Sequence, residues 1–299
     1  MIFTYHAPVD ENGTPIESKR QDAPRLDVFV LANIPRLSRG FVQKLCQEEK
    51  ITVNGTPALK AGYKLRDGDT IDVDYDTSEL DLIPDIDLPI LYEDDDCMVI
   101  NKPTGVLTHS KGAFNPEATV ATFLRSRIKG MEGERAGIVH RLDRATSGII
   151  ICAKTQAALS FLQKQFSLRK VKKTYMAVIT GEMTPDTAII DMPIERNPKA
   201  PATFRVDVQG KHAETAYKTI AANEQYSLVE LRPKTGRTHQ LRVHLSHQHH
   251  PIVGDSLYGG ELAERLYLHA EHLEITIVQG HERKVFTAPV PAAFNERIA

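Results

Sequence analysis

The chain has 299 residues, 41% of them hydrophobic and 25% charged, with a formal net charge of −2. That is a globular composition, long enough to bury roughly 75% of the unfolded surface in more than one core. It excludes a strongly basic chain that holds a polyanion by total charge, so such a partner must meet local patches. No apolar run approaches the ~20 residues that span a bilayer.

The N-terminus, MIFTYHAPVDENG, lacks the basic start and apolar stretch of a signal peptide. Residues 1–22 are polar and aperiodic and are expected to form a loose extension. The three cysteines, Cys46, Cys97 and Cys152, have no CxxC spacing and sit among apolar residues. They read as reduced and buried, which fits the cytoplasm.

A small unit is expected over 23–75. LDVFVLANI begins it, and Ser38 can cap a helix whose apolar side is Phe41, Val42, Leu45 and Cys46. Asn54-Gly55 and Asp67-Gly68 mark turns between the strands ITV and TIDVDY. Arg36, Arg39, Lys44, Lys50, Lys60, Lys64 and Arg66 meet only Glu48 and Glu49 across 36–66. Such a run is a solvated face in one reading. Concentrated on a small helix with hairpins, it suits RNA, with Arg36, Arg39 and Lys44 as contacts. Residues 75–96 hold acids and two prolines and no Lys or Arg. A linker is expected over 76–89.

From 90 to 299 the strand signals are dense. CMVIN, GIIICA, TYMAVIT, TAIIDM, TFRVDV, YKTIAA, YSLVELR and LEITIV are rich in β-branched residues. Helical segments are fewer: ATVATFLRSRI, TQAALSFLQKQFSL and RTHQLRVHLSHQ. Strands and helices do not alternate strictly, so the predicted class is α+β with a mainly antiparallel sheet.

Three segments carry chemistry. In IVHRLDRATSG, Asp143 stands between Arg141 and Arg144, ahead of the buried-looking strand IIICA. Guanidinium neighbours favour an ionised carboxylate, which suits a nucleophile or base. The plain alternative is a salt bridge that organises a loop. Arg25-Leu26-Asp27 repeats the triplet without the flanking His, Arg and Ser-Gly, and Asp27 reads as structural. In LRPKTGRTHQLRVHL, Gly236 turns the chain and Arg237 falls near a helix N-terminus, where anions are favoured. Thr238 and Gln240 add hydrogen-bonding groups. In KVKKTYMAVIT, Lys170, Lys172 and Lys173, preceded by Lys164 and Arg169, run into a strand carrying Tyr175. Cations beside a ring suit a stacked nucleic-acid base, and a core tyrosine is the ordinary alternative.

Together with NKPTGVLTH, GDSLYGG and LHA, these segments resemble, in order across 90–299, the RluA family of RNA pseudouridine synthases. The 23–75 unit resembles the S-four-like RNA-binding domain that many members carry in front. The resemblance implies isomerisation of uridine to pseudouridine with no metal or cofactor. The uracil leaves its sugar, turns, and rejoins through ring carbon five. Asp143 matches the family's essential aspartate, which attacks sugar or base or abstracts a sugar proton. Arg237 matches the arginine paired with it, Tyr175 the tyrosine that packs on the uracil, and Arg141 a residue that fills the gap left by the extruded base. Arg144, Lys172 and Lys173 are further RNA contacts. The substrate implied is large-subunit ribosomal RNA, with transfer RNA as the alternative, handled by a cytoplasmic monomer with no membrane and no obligate protein partner.

Other classes compete. A non-catalytic RNA-binding assembly factor on the same fold would not need Asp143, Tyr175 and Arg237 together. A protein kinase also needs a glycine-rich loop and an Asp-Phe-Gly triplet, and the chain has no Asp-Phe-Gly. His239, His244, His247, His249 and His250 do not follow zinc spacings, so no metal is expected.

Overall fold

The computed structural model describes residues 1–8, 23–34, 37, 39–75, 86–109, 117–125, 127–128, 131 and 137–299. Ser38, Arg36, most of the expected extension and the linker residues 76–85 lie outside them. The chain divides into two units, Met1–Asp85 with His109–Ala118, and Ile86–Thr108 with Thr119–Ala299.

The front unit contains β1 (Ile2–Thr4), α1 (Leu26–Asn33), α2 (Arg39–Gln47), β2 (Ile51–Val53), β3 (Thr56–Pro57) and β4 (Thr70–Val73). The strands make an antiparallel sheet in the order β1-β4-β2-β3. Asn54 and Gly55, with φ of 52° and 76°, supply the two positive-φ residues of the tight turn between β2 and β3. The predicted stripe Phe41, Val42, Leu45 and Cys46 is the buried face of α2. Asp27 is buried and accepts from Nε and Nη2 of Arg25, each at 2.9 Å, so it is structural as read.

The loose extension needs correction at its start. Residues 2–4 form a strand, and the Met1 amine donates to the Val73 carbonyl at 2.7 Å. Phe3 and Tyr5 turn toward the core and Ile2 and Thr4 away from it. That period-two pattern covers one turn of alternation only, and the polar residues after it hide it.

The second unit contains β5 (Ile90–Glu93), β6 (Cys97–Lys102), α3 (Val120–Arg125), β7 (Ser147–Ala153), α4 (Gln156–Ser167), β8 (Lys172–Thr180), β9 (Thr187–Asp191), β10 (Ile194–Arg196), β11 (Phe204–Val206), β12 (Glu214–Ala222), β13 (Tyr226–Pro233), α5 (Gln240–His247), β14 (Leu268–Thr276), β15 (Arg283–Thr287) and α6 (Ala292–Glu296). Among the described residues nine strands form one sheet, β5-β6-β7-β14-β8-β13-β12-β9, with β15 also on β14. Within that sheet only the β7–β14 pairing is parallel. The mainly antiparallel α+β class is what the sequence predicts.

β7 is buried along its whole length because both faces are covered. Ile149, Ile151 and Ala153 pack with Ala158 and Leu162 of α4, while Ile150 and Cys152 pack with Phe123 and Leu124 of α3. Two-sided burial makes a strand read as a continuous apolar run. Thr155 caps α4 by accepting from the Ala158 amide at 3.1 Å. The strands that the sequence does not announce, β5, β10 and β15, are short or largely exposed and lack this signal. The unit also starts before 90. Leu88 is buried beside Met98 and Ile100, and the Pro89 carbonyl accepts from Asn101, so 86–89 belong to the second unit rather than to the linker.

Gly148 begins the apolar run with φ of +109°, and a Cβ there would lie 2.2 Å from the Ala270 carbonyl oxygen on β14. Gly148→Ala is therefore expected to cost about 3 kcal/mol or more. Gly68→Ala, at φ +80° with nothing within 4 Å, should cost only about 1 kcal/mol. Melting curves of the two variants check this, and equal shifts would contradict it.

Candidate active site

The loop 138–146 leaves Asp143 at the mouth of β7. A segment at the end of β6 holds that loop. The Thr108 hydroxyl donates to the Leu142 carbonyl at 2.9 Å and accepts from the Leu142 amide at 3.1 Å. The Thr104 hydroxyl donates to the Ala145 carbonyl at 2.7 Å, and the Gly105 amide to the Arg144 carbonyl at 2.9 Å. Lys102 is fully buried, and its ammonium donates to the carbonyls of Pro103, Val106 and Arg144 at 2.9, 2.8 and 3.2 Å. Burial pulls it down to about 7, against the raising effect of the Asp143 charge. The motif NKPTGVLTH is thus a clasp on the Asp143 loop.

On the other side stands α5. Gln240–Leu245 are all buried. An arginine in a helix buried all round must have a partner. Arg242 donates through Nε and Nη2 to the two carboxylate oxygens of Asp255, at 2.7 and 2.6 Å. Its remaining nitrogen, Nη1, lies 4.0 Å from Asp143 Oδ2. Burial alone would lower the Arg242 guanidinium, but the bonds to Asp255 and the charges of Asp255 and Asp143 hold it above its usual value.

His239, with φ of 57°, precedes the helix and brings Nε2 to 3.8 Å from the same Asp143 oxygen. Its Nδ1 is 2.7 Å from the Tyr258 hydroxyl, which accepts from the Phe204 amide at 2.9 Å. That bond leaves the Tyr258 hydroxyl hydrogen available to Nδ1, and Nε2 is the ring nitrogen that faces the carboxylate. Burial keeps His239 below its usual range, against the raising pull of Asp143.

Asp143, Arg242 and His239 line a cavity of about 290 Å³ together with Arg141, Lys173, Tyr175 and Arg237. Tyr175 faces in from β8, between its partners Leu231 and Ala270. Burial first, then the Asp143 charge, push its phenol well above the usual value, so the hydroxyl keeps its proton. Gln240 braces the turn before α5: its oxygen accepts from the Thr235 hydroxyl and the Arg237 amide, and its amide donates to Glu214 and Thr215.

The pairing read onto Arg237 is corrected. Arg237 Nε donates to the His212 carbonyl at 3.0 Å, and Arg242 is the guanidinium beside Asp143. Position 237 lies on the turn before α5, whereas 242 lies within the first helical turn and points at the loop. Arg237 still lines the cavity. Arg141 is exposed at its rim, and Arg144 is exposed without lining it. Lys173 forms part of the wall, and burial lowers its ammonium to about 8. Lys172 is exposed and paired with Glu274 at 3.2 Å. In the front unit Arg39 is exposed on α2, and Lys44 sits 3.6 Å from Glu48. Such surface pairs are weak and leave the charges open to a polyanion.

The histidines do not gather into a metal set. His244 bridges Thr215 and the Met192 carbonyl, and His250 meets the Thr180 carbonyl. Asp191, His212 and Glu214 bring ligand atoms within 4.8 Å of one another, but Lys234 already sits 3.2 Å from the Glu214 carboxylate.

Residues 96–247 match the family model described as RNA pseudouridylate synthase. The chain belongs to that family. Residues 24–71 match the S4 domain. An uncharacterized RNA pseudouridine synthase of Aquifex aeolicus is 38% identical over 243 residues, which is 79% of this chain and 77% of the relative. A ribosomal large subunit pseudouridine synthase D of Borreliella burgdorferi is 35% identical over 291 residues, 92% and 89% of the two chains. The solved structure of human RNA pseudouridylate synthase domain containing 1 shares 32% identity and a TM-score of 0.57 over 68% of this chain and 83% of that one. The synthase is therefore an isomerase acting on RNA. No helix among its described residues is long and apolar enough to cross a membrane.

Two histidines near the site titrate far from neutrality. His140 accepts from the Ile151 amide and stacks on Phe166; burial, then Lys173, lowers it to about 3. His269 meets the Ser147 hydroxyl at 2.8 Å, and burial lowers it to about 4. An unfolded histidine binds a proton near 6.5. Between that value and about 4 the unfolded chain holds protons that the native site refuses, so stability should fall as pH falls. The urea midpoint is expected to drop from pH 7 to pH 5, and an unchanged midpoint would contradict neutral burial of these rings.

Proposed function

We propose that the synthase isomerises uridines of large-subunit ribosomal RNA, with Asp143 as the reacting carboxylate. The observation that carries this reading is the carboxylate itself, 20% exposed at a cavity of base-sized volume and faced by a guanidinium 4.0 Å away. Relatives whose names specify the large ribosomal subunit match most of the chain, which supports that substrate. A stacked uridine hides its glycosidic bond, so the nucleotide must be extruded into the cavity at a cost of a few kcal/mol. Arg141, at the rim, fills the space the base leaves.

The reaction conserves atoms. The bond from N1 to the sugar breaks, a bond from carbon five to the same sugar carbon forms, carbon five loses its proton and N1 gains one. Asp143, with the Arg242 guanidinium beside it, serves as nucleophile or base. Tyr175 packs against the uracil, and its neutral phenol exchanges the carbon-five proton. Arg237, Arg144, Lys172 and Lys173 meet phosphates, and the S4 domain adds a second RNA contact through Arg36, Arg39 and Lys44. The synthase is read as a monomer of the cytoplasm, and its buried free thiols suit that compartment.

Asp143→Asn should lower isomerisation of a stem-loop RNA by about a thousandfold or more while its dissociation constant stays within about twofold. Tyr175→Phe should lower turnover by about a hundredfold with little change in KM. Release of the carbon-five hydrogen as tritium measures both. Near wild-type turnover by the Asn variant would remove Asp143 from the mechanism, and no turnover by the native protein would favour a binding factor. Unchanged pseudouridines in the large-subunit RNA of a deletion strain would rule out that substrate.

A further inference from the structure

Beside the catalytic cavity lies a second one of about 210 Å³, and the two share Phe166, Lys173, Gly236 and Arg237 in their walls. Thr235 is shared as well; Arg169 and Lys234 bring the cationic side chains of the second lining to four, and it includes no Asp or Glu. Arg169 follows the end of α4 with φ of 56°, its amide held by the Phe166 carbonyl at 3.1 Å. Its guanidinium makes no hydrogen bond or ion pair among the described residues, nor do the terminal nitrogens of Arg237. Lys234, itself exposed, pairs with the half-buried Glu214 at 3.2 Å, and its ammonium keeps solvent-facing hydrogens for an anion.

Four like charges around one small space repel each other and favour an anion there. The burial-lowered Lys173 ammonium is in the common wall, where an incoming negative charge would favour its protonated form. At Gly236 a side chain would begin 3.7 Å from the Lys173 ammonium, so the glycine leaves that charge uncovered.

We propose that this second cavity is a phosphate subsite, holding a phosphodiester of the RNA strand next to the target nucleotide. The inference rests on the functional reading above. An extruded nucleotide remains tied to the chain on both sides, so moving its base into the catalytic cavity carries an adjoining phosphate to the cavity rim. The cationic space that opens from that rim neutralises the phosphate where solvent is partly excluded. Register follows from this: the base enters only when a flanking linkage seats, so Arg169 and Lys234 help choose which uridine reaches Asp143.

The test pairs an Arg169→Ala, Lys234→Ala double variant of the full chain with a stem-loop RNA and a series of the same RNA bearing one neutral methylphosphonate linkage each. Binding is read by equilibrium titration. Wild type is expected to lose about tenfold in affinity when one linkage adjoining the target uridine is neutralised. The double variant should bind the unmodified RNA about tenfold more weakly, lose nothing further at that linkage, and stay sensitive at the others. Its slope of log affinity against log salt should be shallower by about 0.7 for each phosphate that it no longer neutralises. Unchanged affinity of the variant overturns the proposal. So does a variant with the wild-type penalty at every linkage, including those beside the target. Titration needs no turnover, so failure of the native protein to isomerise uridine would strike the functional reading alone.

Discussion

A buried carboxylate must be paired or it unfolds what surrounds it, and Asp255 is the one on which this site depends. Its side chain has no exposed surface, and it takes two hydrogen bonds from Arg242. Removing one member of such a pair is strongly destabilising because the other charge is left buried and alone. The pair therefore fixes the guanidinium, and with it the positive charge that faces Asp143. The same loop does a second service. The Tyr258 and Gly260 amides both donate to the Asp255 carbonyl, and that turn presents the Tyr258 hydroxyl to His239. Two groups reach Asp143 by different routes from one loop.

The opposite wall is held by backbone. Lys102 directs its ammonium at three carbonyls, one of them Arg144 beside Asp143. Thr104 and Thr108 add hydroxyl bonds to the same loop. The loop around Asp143 cannot relax toward Arg242 without breaking these bonds, and Arg242 is held back on Asp255. A separation of 4.0 Å between the two charges is the outcome. It leaves room for a substrate atom to approach the carboxylate, which a tight salt bridge would close.

Much of this was legible in the sequence, for identifiable reasons. β7 announced itself because both faces are buried, and Asn54-Gly55 because a tight turn needs two positive-φ residues. Asp143 stood out because it lies between two arginines ahead of an apolar strand, and Tyr175 because a basic stretch runs into its strand. Arg242 did not, because sequence spacing near a glycine turn favoured Arg237 and could not say where helix α5 begins. The usable signal was that residues 240–245 alternate polar and apolar types inside a helix with no solvent face. Lys102 gave no sign of burial, since lysine is almost never fully buried without a partner. Strand β1 was lost because three residues show too little periodicity, and edge strands β5 and β15 because partial exposure blurs theirs.

The Asp255 side chain acts on the chemistry through the position of Arg242. The direct measurement is an Asp255→Asn variant, shown to be folded, whose crystal structure and single-turnover rate are compared with those of the native synthase. The amide retains the shape and keeps only one acceptor for the fork. The Arg242 guanidinium is expected to shift away from Asp143 while the Asp143 and Tyr175 side chains stay in place, and the rate to fall by about a hundredfold with RNA affinity nearly unchanged. A native rate with the guanidinium displaced would contradict that dependence.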